Sequence, residues 1–487
     1  MLSHQPRASH FINGEYLEDT EGAAFDNISP ATGDVIARLH EATPAIMNAA
    51  IASAKVAQKQ WCEVPFAERL NVLARVGSLL RERNDELAEL ETYDTGKPIS
   101  ETLVTDPASA AECFEFYAKA GSSDDGTYHP IEGGFVQVVR EPLGICAGIG
   151  AWNYPIQIAG WKAAPALACG NAMIFKPSEV TPLSALKLAE IICEAGAPHG
   201  LFNVVQGAGF VGNRLASDPD IAKISLTGSV PTGKKVYAAA ADTLKEISLE
   251  LGGKSPLIIF NDADIDKAVE GAINGNFYSS GQVCSNGTRI FVQRGVQAPF
   301  LEAFVERARA MKIGDPFDPT TEIGPLISKA HAASVLKHIE RGVVEGAHPL
   351  LDGRHLPSDQ TGSDIFVGPT IFSGVTDEMT IAQEEIFGPV ASVLVFDDEE
   401  EVVERANASP LGLAAGIYTS SLDCAHKVAA RIQAGICWIN TYNEYPIAMP
   451  FGGYKQSGIG RENGLLALDY YSQTKSILVR FTADQDR

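Results

Sequence analysis

The sequence predicts an α/β protein: two domains, each a parallel sheet covered by helices, with two odd strands left over. Three observations predict it. Short β-rich runs alternate with helices from Gly144 onward, and strands alternating with helices of this length build a parallel sheet covered on both faces. A second alternating set begins near Ser255. The length, 487 residues, suits roughly two to three domains at about 150 residues each.

Composition sets the outer limits. The chain is 45% hydrophobic and 20% charged, the balance of a soluble globular protein. Asp and Glu number 61 against 38 Lys and Arg, for a net charge of −23. So acidic a surface repels phosphate backbones and argues against nucleic-acid binding. No run approaches the ~18–20 uncharged apolar residues of a membrane helix. The first ten residues lack the apolar core of a signal peptide. Eight cysteines are scattered without a C-x-x-C pair, so neither a zinc site nor a disulfide framework is expected, and reduced thiols fit a cytoplasmic protein.

The elements follow in order. Thr43-Pro44 opens a helix over 45–61, a capping residue followed by proline in the first turn. Leu70, Val72, Leu73, Val76, Leu79 and Leu80 extend a helical pattern over 68–93. Strands are expected at 144–152, 172–176, 201–206, 223–227 and 246–249, with a helix from Thr181-Pro182 to 195 closed by Gly196. The second set has strands at 256–260, 288–292, 391–396, 415–419 and 436–440. Segments 134–140 and 476–481 alternate but belong to neither set. They are expected to pair between subunits.

Gly207-Ala-Gly-Phe-Val-Gly212 matches the dinucleotide pattern G-x-G-x-x-G after a strand. The acidic residue expected about 20 positions on is missing, since Thr227, Gly228 and Ser229 stand there. A tight strand-to-helix turn is the favoured reading. Residues 224–233 run from a strand through Gly228-Ser229 into a helix, which exposes backbone N–H groups to a pyrophosphate. Lys176-Pro177-Ser178-Glu179 also ends a strand. A carboxylate there accepts both ribose hydroxyls and repels a 2′-phosphate, favouring NAD over NADP.

Cys284 sits among small polar residues, Ser279-Ser-Gly-Gln-Val-Cys-Ser-Asn-Gly-Thr288. A small core residue and a nucleophile both remain open. Glu250 precedes paired glycines in Glu250-Leu-Gly-Gly-Lys254, as a solvated glutamate or as a carboxylate with room to move. Asn153, after Gly150, Ala151 and Trp152 at a strand end, is a turn former or a donor to a developing oxyanion.

In this order the chain resembles the aldehyde dehydrogenase superfamily, over almost its whole length. The motifs are Trp152-Asn-Tyr-Pro155, Lys176-Pro-Ser-Glu179, the 228–233 turn, Glu250-Leu-Gly-Gly-Lys254, Gly281-Gln-Val-Cys284, Glu384-Glu-Ile-Phe-Gly-Pro389 and Pro450-Phe-Gly-Gly453. Residues 153–162 and 454–463 resemble its betaine-aldehyde branch most. The resemblance implies an aldehyde-dehydrogenase-like fold of two Rossmann-like domains. Residues 1–123 and 144–249 would bind cofactor, and 250–450 would be catalytic. Residues 124–143 and 471–487 would be oligomerisation strands, and 451–470 a return segment. It also implies a homo-oligomer, dimer or tetramer.

The implied activity is NAD-dependent oxidation of betaine aldehyde to glycine betaine, with NADP an alternative coenzyme. Cys284 would attack the aldehyde. Asn153 and the Cys284 N–H would hold the oxyanion, Glu250 would activate water, and Lys162 with Glu462 would form a relay pair. The dinucleotide would lie along Gly150, Ala151, Trp152, Lys176, Pro177, Ser178 and Glu179, then Gly228, Ser229, Val230 and Gly233, ending at Gly252, Glu385 and Phe387. The resemblance further implies potassium near Asn27, Ile28, Asp94 and Val180, and a second ion near Leu244, Lys455 and Gly458.

A quaternary ammonium has no N–H to donate, so an aromatic cage is the grip it needs. Tyr154 and Trp161, seven apart, share one face of a helix from Pro155. Tyr278 and Tyr442 or Tyr445 could complete the cage. Tyr442 stands where many betaine-aldehyde enzymes carry tryptophan, which leaves 4-trimethylaminobutyraldehyde and other ω-aminoaldehydes as alternatives. A cofactor-free thiol hydrolase is a more distant alternative, lacking an obvious histidine base.

Overall fold

Residues 2–120, 126–356 and 364–481 are described in a computed structural model. The first sheet has a parallel centre, in the order Phe202–Val204, Ala172–Lys176, Ile145–Ile149, Lys223–Thr227, Glu246–Glu250. These runs are almost entirely buried, which is why they read as apolar segments. Antiparallel His10–Ile12 and Glu15–Leu17 extend one edge, and Gly458–Ile459 closes the other.

The helices follow their punctuation. Thr43 Oγ1 accepts from the Ile46 N–H and caps helix Pro44–Glu63. The single helix expected over 68–93 is two, Phe66–Glu82 and Asn84–Thr95. Arg83 (φ −105, ψ 15) breaks the run, and the Asn84 amide turns away to donate to the Leu103 carbonyl, 2.9 Å. Helix Pro155–Ala168 is buried along its whole length. Gly196, at φ +96, ends the segment after helix Leu183–Glu194.

The second sheet has six parallel strands, in the order Thr370–Ser373, Val390–Phe396, Arg289–Gln293, Pro256–Ile259, Ala414–Tyr418, Ile436–Ile439. Antiparallel His348–Leu351 lies outside Thr370–Ser373. These two were not foreseen. Each has four residues, too few for a periodic signal, and the outer one is largely exposed and carries Pro349.

The odd strands pair with each other inside one chain. Gly134–Pro142 runs antiparallel to Ser472–Arg480 and, on its other side, to Thr127–Ile131. Residues 121–125 and 482–487, parts of the expected domain and strand boundaries, lie outside the described residues. The return segment joins the first sheet to the segment just before strand Ala414–Tyr418. Gly458 pairs with Glu250, and Tyr454–Lys455 pairs with Leu411–Gly412. No helix among the described residues is long and apolar enough to cross a membrane.

Candidate active site

The strands of the first sheet end at a cavity of about 1100 Å³, and loops of the second domain form its opposite wall. Ligands of open α/β sheets bind at this end of the strands.

At the reacting centre the backbone is forced into an unusual course. Ser279 (φ 51), Ser280 (φ 55) and Gly281 (φ 75) are all left-handed. A Cβ at Gly281 would stand 2.2 Å from the Gly388 carbonyl carbon. This accounts for the small residues before Cys284, which faces the cavity. Burial pushes its thiol up to about 12, with Glu385 and Glu250 adding to the rise. The Asn153 amide lies beside it and donates one N–H to the Gln282 carbonyl, 3.0 Å, leaving the other for an oxyanion.

Glu250 is buried and lines the cavity, and neither carboxylate oxygen has a hydrogen-bond partner. Burial first, then the Glu462 charge, holds its carboxyl well above the usual range. Lys162 and Glu462 do meet, as a buried ion pair. Lys162 Nζ also donates to Ser225 Oγ, 3.0 Å, which donates to Glu462 Oε1, 3.1 Å. Glu462 lines the cavity and Lys162 lies behind it.

The residues of the other half could hold a dinucleotide. Helices Gly209–Ser217 and Val230–Ala241 both begin at its wall, presenting N–H groups to an anion. The Ser229 hydroxyl caps the second by accepting from the Thr232 N–H. Gly150, Ala151, Trp152, Ser178 and Gly228 line the same wall. Lys176 Nζ donates to the Pro177 carbonyl, 2.7 Å, and reaches Glu179 at 3.5 Å. Glu385 accepts from the Gly253 N–H, 3.2 Å. Ala208, Gly209 and Gly212 also line this half, so the first glycine motif is both a turn and part of the wall.

Four expectations are corrected here. Pro177, Val230 and Gly233 do not line the cavity. Gly233 instead lets its helix approach the sheet, since a Cβ there would meet Leu251 at 2.6 Å. Gly252 was read as room for Glu250 to move, but its open space belongs to Glu385. A Cβ at Gly252 would stand 1.8 Å from Glu385 Oε2. The glycine beside Glu250 is Gly452, whose Cβ would come within 2.6 Å of Oε1.

Among the cage candidates Trp161, Tyr154 and Tyr278 line the cavity. Trp161 donates to Ser109 Oγ, 3.0 Å, and meets Phe451 edge-on at 5.5 Å. Tyr154 bonds Ser279 Oγ at 2.8 Å and Tyr278 bonds Thr105 Oγ1 at 2.7 Å. Tyr442 does not belong. It is buried against Trp438 and donates to the Ser285 carbonyl, 2.8 Å. Tyr445, weighed beside it, lines the cavity and packs on Phe451 at 5.6 Å.

Phe451 and His331 escaped the sequence reading. Phe451 stood inside a quoted motif, but nothing there assigned it a direction. His331 lies in helix Lys329–Val344 seven residues before His338, a spacing that pointed to no site. His331 Nε2 meets the Phe387 carbonyl at 2.7 Å, and Trp152 packs edge-on against both rings. No other histidine lines the cavity among the described residues.

The cation candidates divide. Asn27 and Asp94 meet, with Asn27 Nδ2 donating to Asp94 Oδ1 at 2.5 Å. The other Asp94 oxygen accepts from the Leu183 N–H, and Asn27 Oδ1 is buried without a partner. The side chains of Ile28 and Val180 are exposed. Leu244 and Gly458 do not converge, since they lie at opposite ends of strand Glu246–Glu250. The Lys455 ammonium occupies the Asn407 and Ser409 carbonyls.

With this geometry in place, comparison with known proteins is specific. The profile of the aldehyde dehydrogenase family matches residues 16–477. A betaine aldehyde dehydrogenase of Rhizobium etli is 58% identical over 98% of each chain. One of Agrobacterium fabrum is 58% identical over 98% of this chain and 97% of its own. An aldehyde dehydrogenase from Bacillus cereus, solved as its NAD+ complex, superposes with a TM-score of 0.94 at 42% identity, covering 98% of this chain and 97% of its own.

Proposed function

The chain belongs to the aldehyde dehydrogenase family, and from that premise we propose that it oxidises betaine aldehyde to glycine betaine with NAD. The observation that carries the reading is a thiol and a buried, unpartnered carboxylate in one cavity, with an aromatic wall on one side and residues that could hold a dinucleotide on the other. The relatives from Rhizobium etli and Agrobacterium fabrum, by their names, support the substrate.

Cys284 attacks the aldehyde carbon as thiolate, and its proton leaves through Glu250. The carbonyl oxygen becomes an oxyanion held by the free Asn153 N–H and the Cys284 backbone N–H. A donor of this kind is worth about 2.7–4 kcal/mol of barrier. NAD, when bound, supplies the acceptor for the hydride the substrate carbon loses. Lys176 and Glu179 would hold its adenosine ribose and Glu385 the other ribose, and Phe387 would pack by the ring. The carbon, now a thioester of Cys284, is hydrolysed by a water that Glu250 deprotonates. Glu462 and Lys162 take the proton onward. Glu250 begins each step from a position without hydrogen bonds, so no bond must break before it turns.

Glu179 is half-exposed beside Lys176, where it would face a 2′-phosphate. Glu179→Gln is expected to shift the NADP/NAD ratio of kcat/KM about tenfold toward NADP. An unchanged ratio would remove Glu179 from coenzyme choice.

The experiment for the substrate is a steady-state aldehyde panel: betaine aldehyde, 4-trimethylaminobutyraldehyde, an ω-aminoaldehyde and tert-butylacetaldehyde, the uncharged isostere of betaine aldehyde. Betaine aldehyde is expected to give the highest kcat/KM. Trp161→Ala is expected to raise KM for betaine aldehyde about 30-fold more than for the isostere, the worth of a desolvated cation–π contact near 2 kcal/mol. Equal increases would show that Trp161 supplies contact area alone.

A potassium ion beside Asn27 and Asp94 belongs to the same reading, supported by the unpartnered Asn27 oxygen. So does a homo-oligomer joined through the small sheet, whose outer strand Thr127–Ile131 is exposed along its length.

A further inference from the structure

The substrate half of the cavity is walled by the start of helix Asp106–Ala120. Thr105, Ala108, Ser109 and Glu112 line it, spaced as one helix face. Ser109 accepts the Trp161 indole N–H. Glu112 comes three residues later, exposed at the mouth. The other charge at this end is Arg81, and both arms of its guanidinium are engaged by Glu115. Arg81 is thereby engaged by a fork-to-fork pair, while Glu112, whose charge also reaches Arg81, makes no ion pair among the described residues. Together Arg81, Glu115 and Glu112 leave one net negative charge at the mouth.

A second observation orients the substrate. The Lys97 ammonium stands 3.8 Å from the centre of the Tyr154 ring, held there by buried Asp106. One negative face of that ring is already taken by a cation, which weakens the ring's attraction for another. A quaternary ammonium in this cavity is therefore held better by Trp161 than by Tyr154, and Glu112 lines the same cavity about one helical turn beyond Ser109, the Trp161 partner.

We propose that Glu112 is the specificity-determining carboxylate that selects positively charged aldehydes, and that its hold strengthens as the chain between carbonyl and cation lengthens. The inference rests on the reading of this cavity as an aldehyde site. Glu112 touches no reacting atom in this assignment. It raises the local concentration of the cation and favours its entry with the carbonyl leading.

The test compares Glu112→Gln with wild type on betaine aldehyde, 4-trimethylaminobutyraldehyde and tert-butylacetaldehyde at two ionic strengths. Expected is a loss in kcat/KM of about three- to tenfold for betaine aldehyde, a larger loss for the longer cation, and little change for the neutral aldehyde. The decline of the cationic values with salt should flatten in the variant. Arg81→Gln, which frees Glu115, should move both cationic values the opposite way. Equal losses on all three aldehydes, or none on any, would overturn the proposal. A wild-type preference for the neutral aldehyde would instead overturn the substrate reading, and the Glu112→Gln ratio would still report on the carboxylate.

Discussion

Cys284→Ala is expected to abolish NADH formation from every aldehyde, a loss on the order of 10⁴- to 10⁶-fold. The substitution removes one sulfur atom from a residue that lines the cavity, so the fold should survive with a loss near 1 kcal/mol. Retained binding of NAD, read as a rise in Tm with added dinucleotide, would separate lost chemistry from lost structure. The same thiol makes a pH prediction in the coenzyme-free protein. Burial and two neighbouring carboxylates push its pKa up to about 12, so little thiolate exists at neutral pH. Alkylation by iodoacetamide should be slow near pH 7 and should accelerate steadily into the alkaline range. Undiminished production of acid and NADH by Cys284→Ala would end the covalent mechanism.

Glu250→Gln is the second large effect, and it should separate the two halves of the reaction. Mixing the variant with aldehyde and NAD is expected to give a burst of NADH approaching one per site, slower than the wild-type burst because Glu250 also takes the Cys284 proton, but much faster than the turnover that follows. Turnover should then be about 10²- to 10⁴-fold slower than wild type, the usual worth of a positioned general base. A burst that disappears together with turnover would make Glu250 essential to acylation instead. The sign of the pH effect follows from burial. The folded carboxyl is held well above its ordinary value, so the base form appears as pH rises. Wild-type deacylation should climb as pH rises above the ordinary carboxylate range, and the variant should lose that limb. Stability runs the other way. A carboxyl whose folded pKa is raised gives up native-state stability as pH rises from its unfolded value through its folded one. Glu250→Gln should therefore melt at a higher temperature than wild type at alkaline pH, a gain that wild type forgoes for catalysis.

The two parallel sheets were legible because their strands are buried runs of β-branched and aliphatic residues between capped helices. The unforeseen elements are those without such a signal, the four-residue strands Thr370–Ser373 and His348–Leu351 and the break at Arg83. At the site, Cys284, Asn153 and Glu250 stood out by their neighbours. The Lys162–Glu462 pair joins residues 300 positions apart, and no local pattern announces it; only the family resemblance did. The choice between Tyr442 and Tyr445 depends on the backbone. Asn440 (φ 56) and Asn443 (φ 58) both adopt left-handed conformations. Those two bends send Tyr442 into the core and Tyr445 to the cavity, a reversal that side-chain spacing does not encode.

The return segment has one more consequence. By pairing with Glu250 on one side and with Leu411–Gly412 on the other, it closes the polypeptide like a belt buckled across both halves. Such a frame opens and shuts poorly. Traffic through it must be managed by turning side chains and sliding guests rather than by swinging whole lobes, and loosening the buckle would slacken both halves at once.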